Sequence, residues 1–236
     1  MKLYTEKVKN YHNKGALKNR KRGKSVEYFA LAVLKFYYPT KFANAIKAEE
    51  PDIQSEGLGV EVTQLCSPIQ RELDGAFSDL TNEENSEKSL STFEKLGKKG
   101  KQGALHIHNG FFSMCTGGGI ENFVSTGVTN AIDSKISKID QYRKKVKGRL
   151  ELAIVQTDLQ PSNFESLVVD KVKSYTTHGC DFQTIYVIST DFVWSFDTDT
   201  KAEKRDEIKP DQKAAFSKIA RMTAEEILEI DSEEWN

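Results

Sequence analysis

Two acidic residues in the first third of the chain have the types and spacing of a metal site. Asp52 follows Pro51, and Glu61 lies nine residues later within the β-prone run 60–62. Period-two alternation puts Glu61 on the opposite side of that strand from its two valine neighbours. A carboxylate beside apolar residues is costly to bury, and a second carboxylate nearby raises the cost unless a cation bridges them. We therefore predict that Asp52 and Glu61 together hold a hard, oxygen-preferring cation such as Mg²⁺.

The residues around this pair indicate how it is positioned. Gly57 and Gly59 separate the segment that starts at Asp52 from a strand predicted over 58–65, which is typical of a β-hairpin. Upstream, the apolar run 25–38 predicts a buried helix that is capped by Ser25 and ends before Pro39.

The rest of the chain alternates between helix-like and strand-like patterns. Further helices are predicted over 120–147, 163–176 and near 223–230, and further strands over 104–108, 150–156 and 184–189. This alternation predicts an α/β fold with a mixed central β-sheet flanked by helices. The predicted organisation has three parts. They are a basic N-terminal arm (1–24), an α/β core (25–199, with an insertion at about 66–119) and a polar C-terminal extension (200–236).

Pro51-Asp52, the hairpin glycines, Glu61 between valines and the upstream helix resemble the PD-(D/E)XK nuclease superfamily, which has the restriction-endonuclease-like fold. The resemblance implies a nuclease core and metal-dependent hydrolysis of phosphodiester bonds in DNA, as in restriction or phage defence, with Mg²⁺ or Mn²⁺ as cofactor.

The resemblance also implies roles for particular residues of this chain. Asp52 and Glu61 would be direct metal ligands, and the backbone carbonyl of Val62 would complete the set. Glu27, on the upstream helix, would bind through water or hold a second metal ion. An ordinary carboxylate on the helix surface is the alternative for Glu27.

The lysine that the superfamily motif places two residues after Glu61 is replaced here by Thr63. Gln64 is one substitute, although strand alternation points it away from Glu61 unless a bulge intervenes. Lys135 or Lys138 from the predicted long helix is the substitute that we favour, because some members of the superfamily carry the lysine on that helix. These lysines lie three residues apart, which puts them on a similar helix face; ordinary solvated positions are the alternative.

A third alternative is that the site has lost catalysis. The chain would then be a nucleic-acid-binding or protein-interaction module on the same scaffold. Fold class alone does not choose between these functions.

Charge and composition bear on partners and location. Residues 1–24 contain nine Lys or Arg and one Glu, which is the charge that contact with the phosphate backbone of nucleic acid, chiefly DNA, would need. A solvated tail that keeps the protein soluble is the alternative for this segment. A second copy of the chain is a further candidate partner, as a homodimer. No apolar run reaches the roughly 18 residues of a membrane span, and the three cysteines lack CxxC spacing. We therefore expect a soluble, cytoplasmic protein with no membrane contact.

Overall fold

The computed structural model describes residues 11, 19–65, 103–108, 111–116, 120–156, 164–177 and 180–226. The helices in these ranges are α1 (Asn19–Tyr37), α2 (Pro39–Phe42), α3 (Ile120–Ile136), α4 (Ile139–Lys145), α5 (Phe164–Thr177) and α6 (Pro210–Ala224). The strands are β1 (Ile46–Lys47), β2 (Ile53–Ser55), β3 (Leu58–Gln64), β4 (Gly103–His108), β5 (Phe111–Thr116), β6 (Arg149–Val155), β7 (Thr184–Ile188), β8 (Phe192–Asp197) and β9 (Glu203–Glu207).

Seven of the described strands form one mixed sheet in the order β1-β2-β3-β6-β7-β8-β9. The three central strands, β3, β6 and β7, run parallel to one another, and the outer strands on each side pair antiparallel. β4 and β5 form a separate antiparallel hairpin. The predicted α/β fold with a mixed central sheet flanked by helices is therefore confirmed.

Helices cover both faces of the sheet and give the protein two apolar cores. On one face α1 and α6 pack together, with Phe216 of α6 in edge-to-face contact with Phe29 and Phe36 of α1. On the other face α3, α4 and α5 cover the central strands, with Ile132, Tyr142 and Val172 among the buried residues. The sheet is thus the middle layer of a three-layer sandwich.

The alternation along β3 assigns its residues to these two cores. Val60 and Val62 lie in the core beneath α1 and α6. Because successive strand residues point to opposite faces, Glu61 points toward the layer of α3 and α4. The predicted orientation of Glu61, opposite to the two valines, is confirmed.

The N-terminal helix begins earlier than predicted. α1 starts at Asn19, so Ser25 lies inside the helix and does not cap it. Lysine and arginine are good helix formers, and those of residues 20–24 extend the helix into the region expected to be an arm. Its predicted end is confirmed, because α1 stops at Tyr37 and Pro39 opens α2 at a position where proline needs no amide hydrogen.

The region expected to be a long helix over 120–147 is two helices, and that prediction was wrong. α3 ends at Ile136 and α4 begins at Ile139. The Ser137 hydroxyl donates to the Ser134 carbonyl at 2.8 Å, and the Lys138 amide donates to the Lys135 carbonyl only three residues back, at 3.1 Å. These local bonds compete with the regular helical pattern and end α3.

The C-terminal segment 200–236 was expected to be a polar extension with a helix near 223–230. Instead, residues 203–224 supply an edge strand and a core helix of the described chain. β9 joins the main sheet, and α6 ends at Ala224. α6 begins with Pro210, and the Lys209 amide donates to the Gln212 side chain at 2.8 Å as a helix cap.

Other predicted elements agree closely with the structure. The strands predicted over 150–156 and 184–189 are β6 and β7, the helix predicted over 163–176 is α5, and the run 104–108 is within β4. Residues 66–102 of the proposed insertion lie outside the described residues. In the part of the chain that the structure describes, no helix is long and apolar enough to cross a membrane.

The turn between β2 and β3 is in close contact with the start of β6. Gly57 has a φ of +68°, a value that favours glycine, and its carbonyl accepts a hydrogen bond from the Arg149 amide at 2.9 Å. A Cβ atom at Gly148 would lie 2.1 Å from the Gly57 carbonyl oxygen. The hairpin that carries Asp52 and Glu61 is therefore seated directly against the central strand.

This close approach generates a first prediction. Gly148→Ala should lower the free energy of unfolding by about 1–3 kcal/mol, because the added methyl group overlaps backbone that has no room to move. Gly23→Ala is the control, since a Cβ at Gly23 meets nothing within 4 Å; alanine there should stabilise α1 by about 0.5–1 kcal/mol. Urea unfolding of both variants measures this. Equal stabilities for the two variants would contradict the close approach.

Candidate metal and catalytic site

Asp52 is held in place by the backbone of β3. Its Oδ2 accepts a hydrogen bond from the Val62 amide at 2.8 Å. β2 pairs with β3 only as far as Val60, opposite Ile53, so the Val62 amide lies beyond the end of the ladder. The Asp52 side chain takes the place of the missing strand partner and thereby lies beside Glu61.

The same geometry orients the Val62 carbonyl. The Leu65 amide donates to Val155 of β6, whereas the Val62 amide donates to Asp52 on the opposite edge of β3. The amide and carbonyl of one strand residue point to the same edge. The Val62 carbonyl oxygen therefore points toward the edge where Asp52 lies, as the superfamily resemblance implies for a ligand.

Glu61 is the buried carboxylate of the site. It is 5% exposed, and its Oε1 accepts a hydrogen bond from the Lys135 ammonium of α3 at 2.6 Å. The Lys135 charge also acts on Asp52, where it opposes the rise in pKa that burial and the Glu61 charge cause. The structure thus brings together Asp52, Glu61 and one lysine of the region where sequence analysis expected a substitute.

The second oxygen of Glu61 has no such partner. Among the described residues, Glu61 Oε2 has no hydrogen-bond donor, and the buried Tyr142 hydroxyl has no partner with hydrogen-bond geometry either. The Tyr142 hydroxyl still lies close enough to Glu61 to interact with it. Burial, followed by the charge of Glu61 and then by contact with its carboxylate, raises the pKa of Tyr142.

A second buried carboxylate on the opposite face of the sheet provides a comparison. Glu151 of β6 is fully buried, and its Oε1 accepts a hydrogen bond from Lys41 at 2.6 Å. Its Oε2 accepts one from the Tyr186 hydroxyl at 3.0 Å. Both oxygens of Glu151 are satisfied, as buried charges require. Glu61 differs from Glu151 because one of its two buried oxygens has no hydrogen-bond donor among the described residues.

The pKa of Asp52 is changed by its burial and by the neighbouring carboxylates. Burial, followed by the neighbouring Glu61 charge, raises the pKa of Asp52 to about 7; Glu27 adds to the rise, while the Val62 amide and Lys135 oppose it. The part of this rise that comes from the Glu61 charge is like-charge repulsion, which a cation close to both carboxylates would relieve.

The residues present fit a hard cation with a small set of protein ligands. One carboxylate oxygen each from Asp52 and Glu61 and the Val62 carbonyl supply the oxygen ligands that Mg²⁺ prefers, and water commonly fills its remaining positions. Among the described residues, no three His, Cys, Asp or Glu side chains form a metal-binding group. Asp52, Glu61 and the Val62 carbonyl would supply fewer oxygens than Mg²⁺ takes, so water would have to complete the set.

The other predicted site residues lie outside this contact. Glu27 is near enough to influence Asp52, but its carboxylate pairs with Lys47 at 2.7 Å. Gln64 shares the sheet face of Val60 and Val62, so it does not approach Glu61. Lys138 is exposed in the turn between α3 and α4. The expectation that Lys135 and Lys138 share one helix face was wrong, because the helix is interrupted between them.

Tyr142 is the site residue that sequence analysis missed. A signal was present in the sequence. The intervals between successive residues are seven, three and four in the series Ile132, Ile139, Tyr142 and Val146, which indicates one apolar helix face. That pattern predicts burial of the ring. It carries no information about where the hydroxyl points, because this depends on how α4 is placed against β3.

Comparison with known proteins gives no further assignment. No family model, no curated protein and no solved structure matches the chain.

The raised pKa of Asp52 generates a second prediction. The unfolded carboxyl titrates near 3.8 and the folded one near 7, so the folded state holds the extra proton between these values. The contribution of Asp52 to the free energy of unfolding is therefore complete below about pH 4. It is lost as the pH rises through about 7, and each unit of difference between the two pKa values corresponds to about 1.4 kcal/mol. Urea unfolding at about pH 5 and pH 8, without divalent cations, measures the loss.

Asp52→Asn is the matched variant, because asparagine keeps an oxygen for the Val62 amide but does not titrate. Its free energy of unfolding should change less between the two pH values than that of the wild type. The same pH dependence in both proteins would contradict the raised pKa.

Proposed function

We propose that the protein is a metal-dependent endonuclease that hydrolyses phosphodiester bonds of DNA. In this proposal it is a member of the PD-(D/E)XK nuclease superfamily in which Lys135 replaces the lysine that position 63 lacks. The observation that carries the proposal is the 2.6 Å contact of the Lys135 ammonium with Glu61, beside Asp52.

The order of elements supports the same proposal. The helix α1, the hairpin of β2 and β3, the helices α3 and α4 and the parallel strand β6 follow one another along the chain. This is the order that the resemblance implies for the nuclease core. Many α/β proteins share such an order, so the convergence of Asp52, Glu61 and Lys135 carries more weight.

The chemistry follows from what each group offers. A bound Mg²⁺ or Mn²⁺ neutralises charge on the phosphodiester and lowers the pKa of coordinated water. Asp52, Glu61 and the Val62 carbonyl would hold that ion. The Lys135 ammonium would position the attacking water or stabilise the negative charge that develops on the phosphate oxygens.

Lys135 must exchange partners for this role. Without a cation its ammonium is held by Glu61, with only 18% of the lysine side chain exposed. A cation held by Asp52 and Glu61 would weaken the attraction of Glu61 for the ammonium, because the two positive charges would repel each other. Lys135 would then be available to a phosphate group, while its helix keeps it at the site.

The second candidate function is a non-catalytic nucleic-acid-binding or interaction module. One observation favours it: Lys135 and Glu61 already compensate each other as an ion pair, so this part of the site is stable without a metal. Divalent-metal binding and cleavage of plasmid DNA distinguish the two functions.

The assignment of Lys135 generates a third prediction. Lys135→Ala should reduce the rate of plasmid cleavage in Mg²⁺ or Mn²⁺ by about 10²–10³-fold and leave DNA affinity nearly unchanged, because the ammonium acts mainly in the transition state. Lys138→Ala is the matched control, since Lys138 is close in sequence but exposed.

Cleavage rates and filter-binding or fluorescence affinities measure both variants. Equal activity in Lys135→Ala and Lys138→Ala would remove Lys135 from the mechanism. A wild-type protein that binds DNA but neither binds Mn²⁺ nor cleaves would favour the non-catalytic module.

The basic N-terminal segment generates a fourth prediction. Replacing Lys2, Lys7, Lys9, Lys14 and Lys18 by glutamine should weaken DNA binding and flatten its dependence on salt, with the slope falling by about 0.9 for each phosphate that is no longer neutralised. These positions precede α1, and the replacements leave Tyr11 to donate to Glu225 at 2.6 Å.

Binding is measured across a salt series without divalent cations, so that the DNA stays intact. An unchanged slope would mean that the segment is a solvated tail.

A further inference from the structure

The Tyr142 hydroxyl is an unexplained polar group in the core. Tyr142 of α4 is fully buried, among the apolar residues between the sheet and α3 to α5. A phenylalanine ring would fill the same volume without a polar atom. Burying a hydroxyl without a partner is unfavourable, so packing alone gives no reason for the oxygen.

Tyr186, a buried tyrosine of strand β7, has the hydrogen bonds that a buried hydroxyl is expected to make. The Tyr186 hydroxyl donates to Glu151 at 3.0 Å and accepts from Lys41 at 2.8 Å. Tyr186 and Tyr142 therefore both accompany a buried glutamate that also binds a lysine. The two tyrosines differ in one respect: among the described residues, the Tyr142 hydroxyl makes no hydrogen bond, whereas that of Tyr186 does.

The two incomplete groups lie beside each other. Glu61 Oε2 and the Tyr142 hydroxyl are both buried without hydrogen-bond geometry among the described residues, and the tyrosine interacts with that carboxylate. The position of the carboxylate is set by its other oxygen, which Lys135 holds.

We propose that Tyr142 is a positioning residue whose hydroxyl donates to Glu61 and orients its carboxylate for a divalent cation shared with Asp52. This inference rests on the proposed function, since it concerns the same site. When Lys135 releases Glu61, the hydroxyl supplies the donor that keeps one oxygen fixed. The carboxylate would then already be ordered when a cation binds.

Such outer contacts to metal ligands commonly change metal affinity by about 10–100-fold. Tyr142→Phe should therefore weaken Mn²⁺ binding by about 10-fold or more, as measured by calorimetry on the full chain with the metal alone. Cleavage should need correspondingly more Mn²⁺, while kcat at saturating Mn²⁺ should recover most of the wild-type value.

Tyr175→Phe is the matched control. The Tyr175 hydroxyl also donates to a carboxylate, that of Asp133 at 2.7 Å on the same helix as Lys135. It is not a contact of Asp52 or Glu61. Its removal should leave Mn²⁺ affinity unchanged, although it takes away a bond between α5 and α3.

The outcomes separate this inference from the proposed function. Wild-type Mn²⁺ affinity in Tyr142→Phe, together with loss of binding in Asp52→Ala, would overturn the role of Tyr142 and leave the metal site standing. A change in melting temperature of Tyr142→Phe without a change in Mn²⁺ affinity would also overturn it, since that is the result of packing alone. A wild-type chain that binds no Mn²⁺ would overturn both proposals.

Discussion

The hydrogen bond from the Val62 amide to Asp52 holds two carboxylates close together, and the other interactions of the site depend on the repulsion between them. It holds one carboxylate at the end of a short ladder, next to a second carboxylate that points into the protein. Two negative charges in poorly solvated positions repel each other strongly. The ion pair of Lys135 with Glu61 and the raised pKa of Asp52 both reduce this repulsion.

The three-layer fold makes this arrangement possible. β3 is a central strand, so its two faces meet different helices, and Glu61 can be surrounded by α3 and α4 while its valine neighbours fill the other core. The interruption after Ile136 then matters: it places Lys135 at the end of α3 and Tyr142 within α4, on two separate segments. Each segment can pack against the sheet at its own angle.

Much of the architecture could be predicted from local patterns. The apolar runs of β6 and β7 and the glycine-rich turn before β3 indicate their conformations directly. Asp52 and Glu61 were recognisable because their spacing around that turn is a local property. The break in the long helix was not, since serine hydroxyls that bond to nearby carbonyls end a helix only when tertiary packing favours it.

The contact between Lys135 and Glu61 spans 74 residues. The sequence narrowed the choice to two lysines, but the decision between them depends on where α3 ends. α6 illustrates a different failure: its alanine and phenylalanine positions form an apolar face, yet charged residues between them made the segment look polar. Burial of that face depends on α1, which lies at the other end of the described chain.

The charged edge strand β9 has a consequence for the behaviour of the molecule in concentrated solution. Its sequence is Glu-Lys-Arg-Asp-Glu, and four of the five residues are exposed. Glu203 and Arg205 form ion pairs with residues of α5, and Lys204 pairs with Asp206 within the strand. A strand from another molecule would have to desolvate these charged side chains before it could form backbone hydrogen bonds with β9. The sheet is therefore protected against edge-to-edge aggregation on this side, by the same kind of charge that is costly at Glu61.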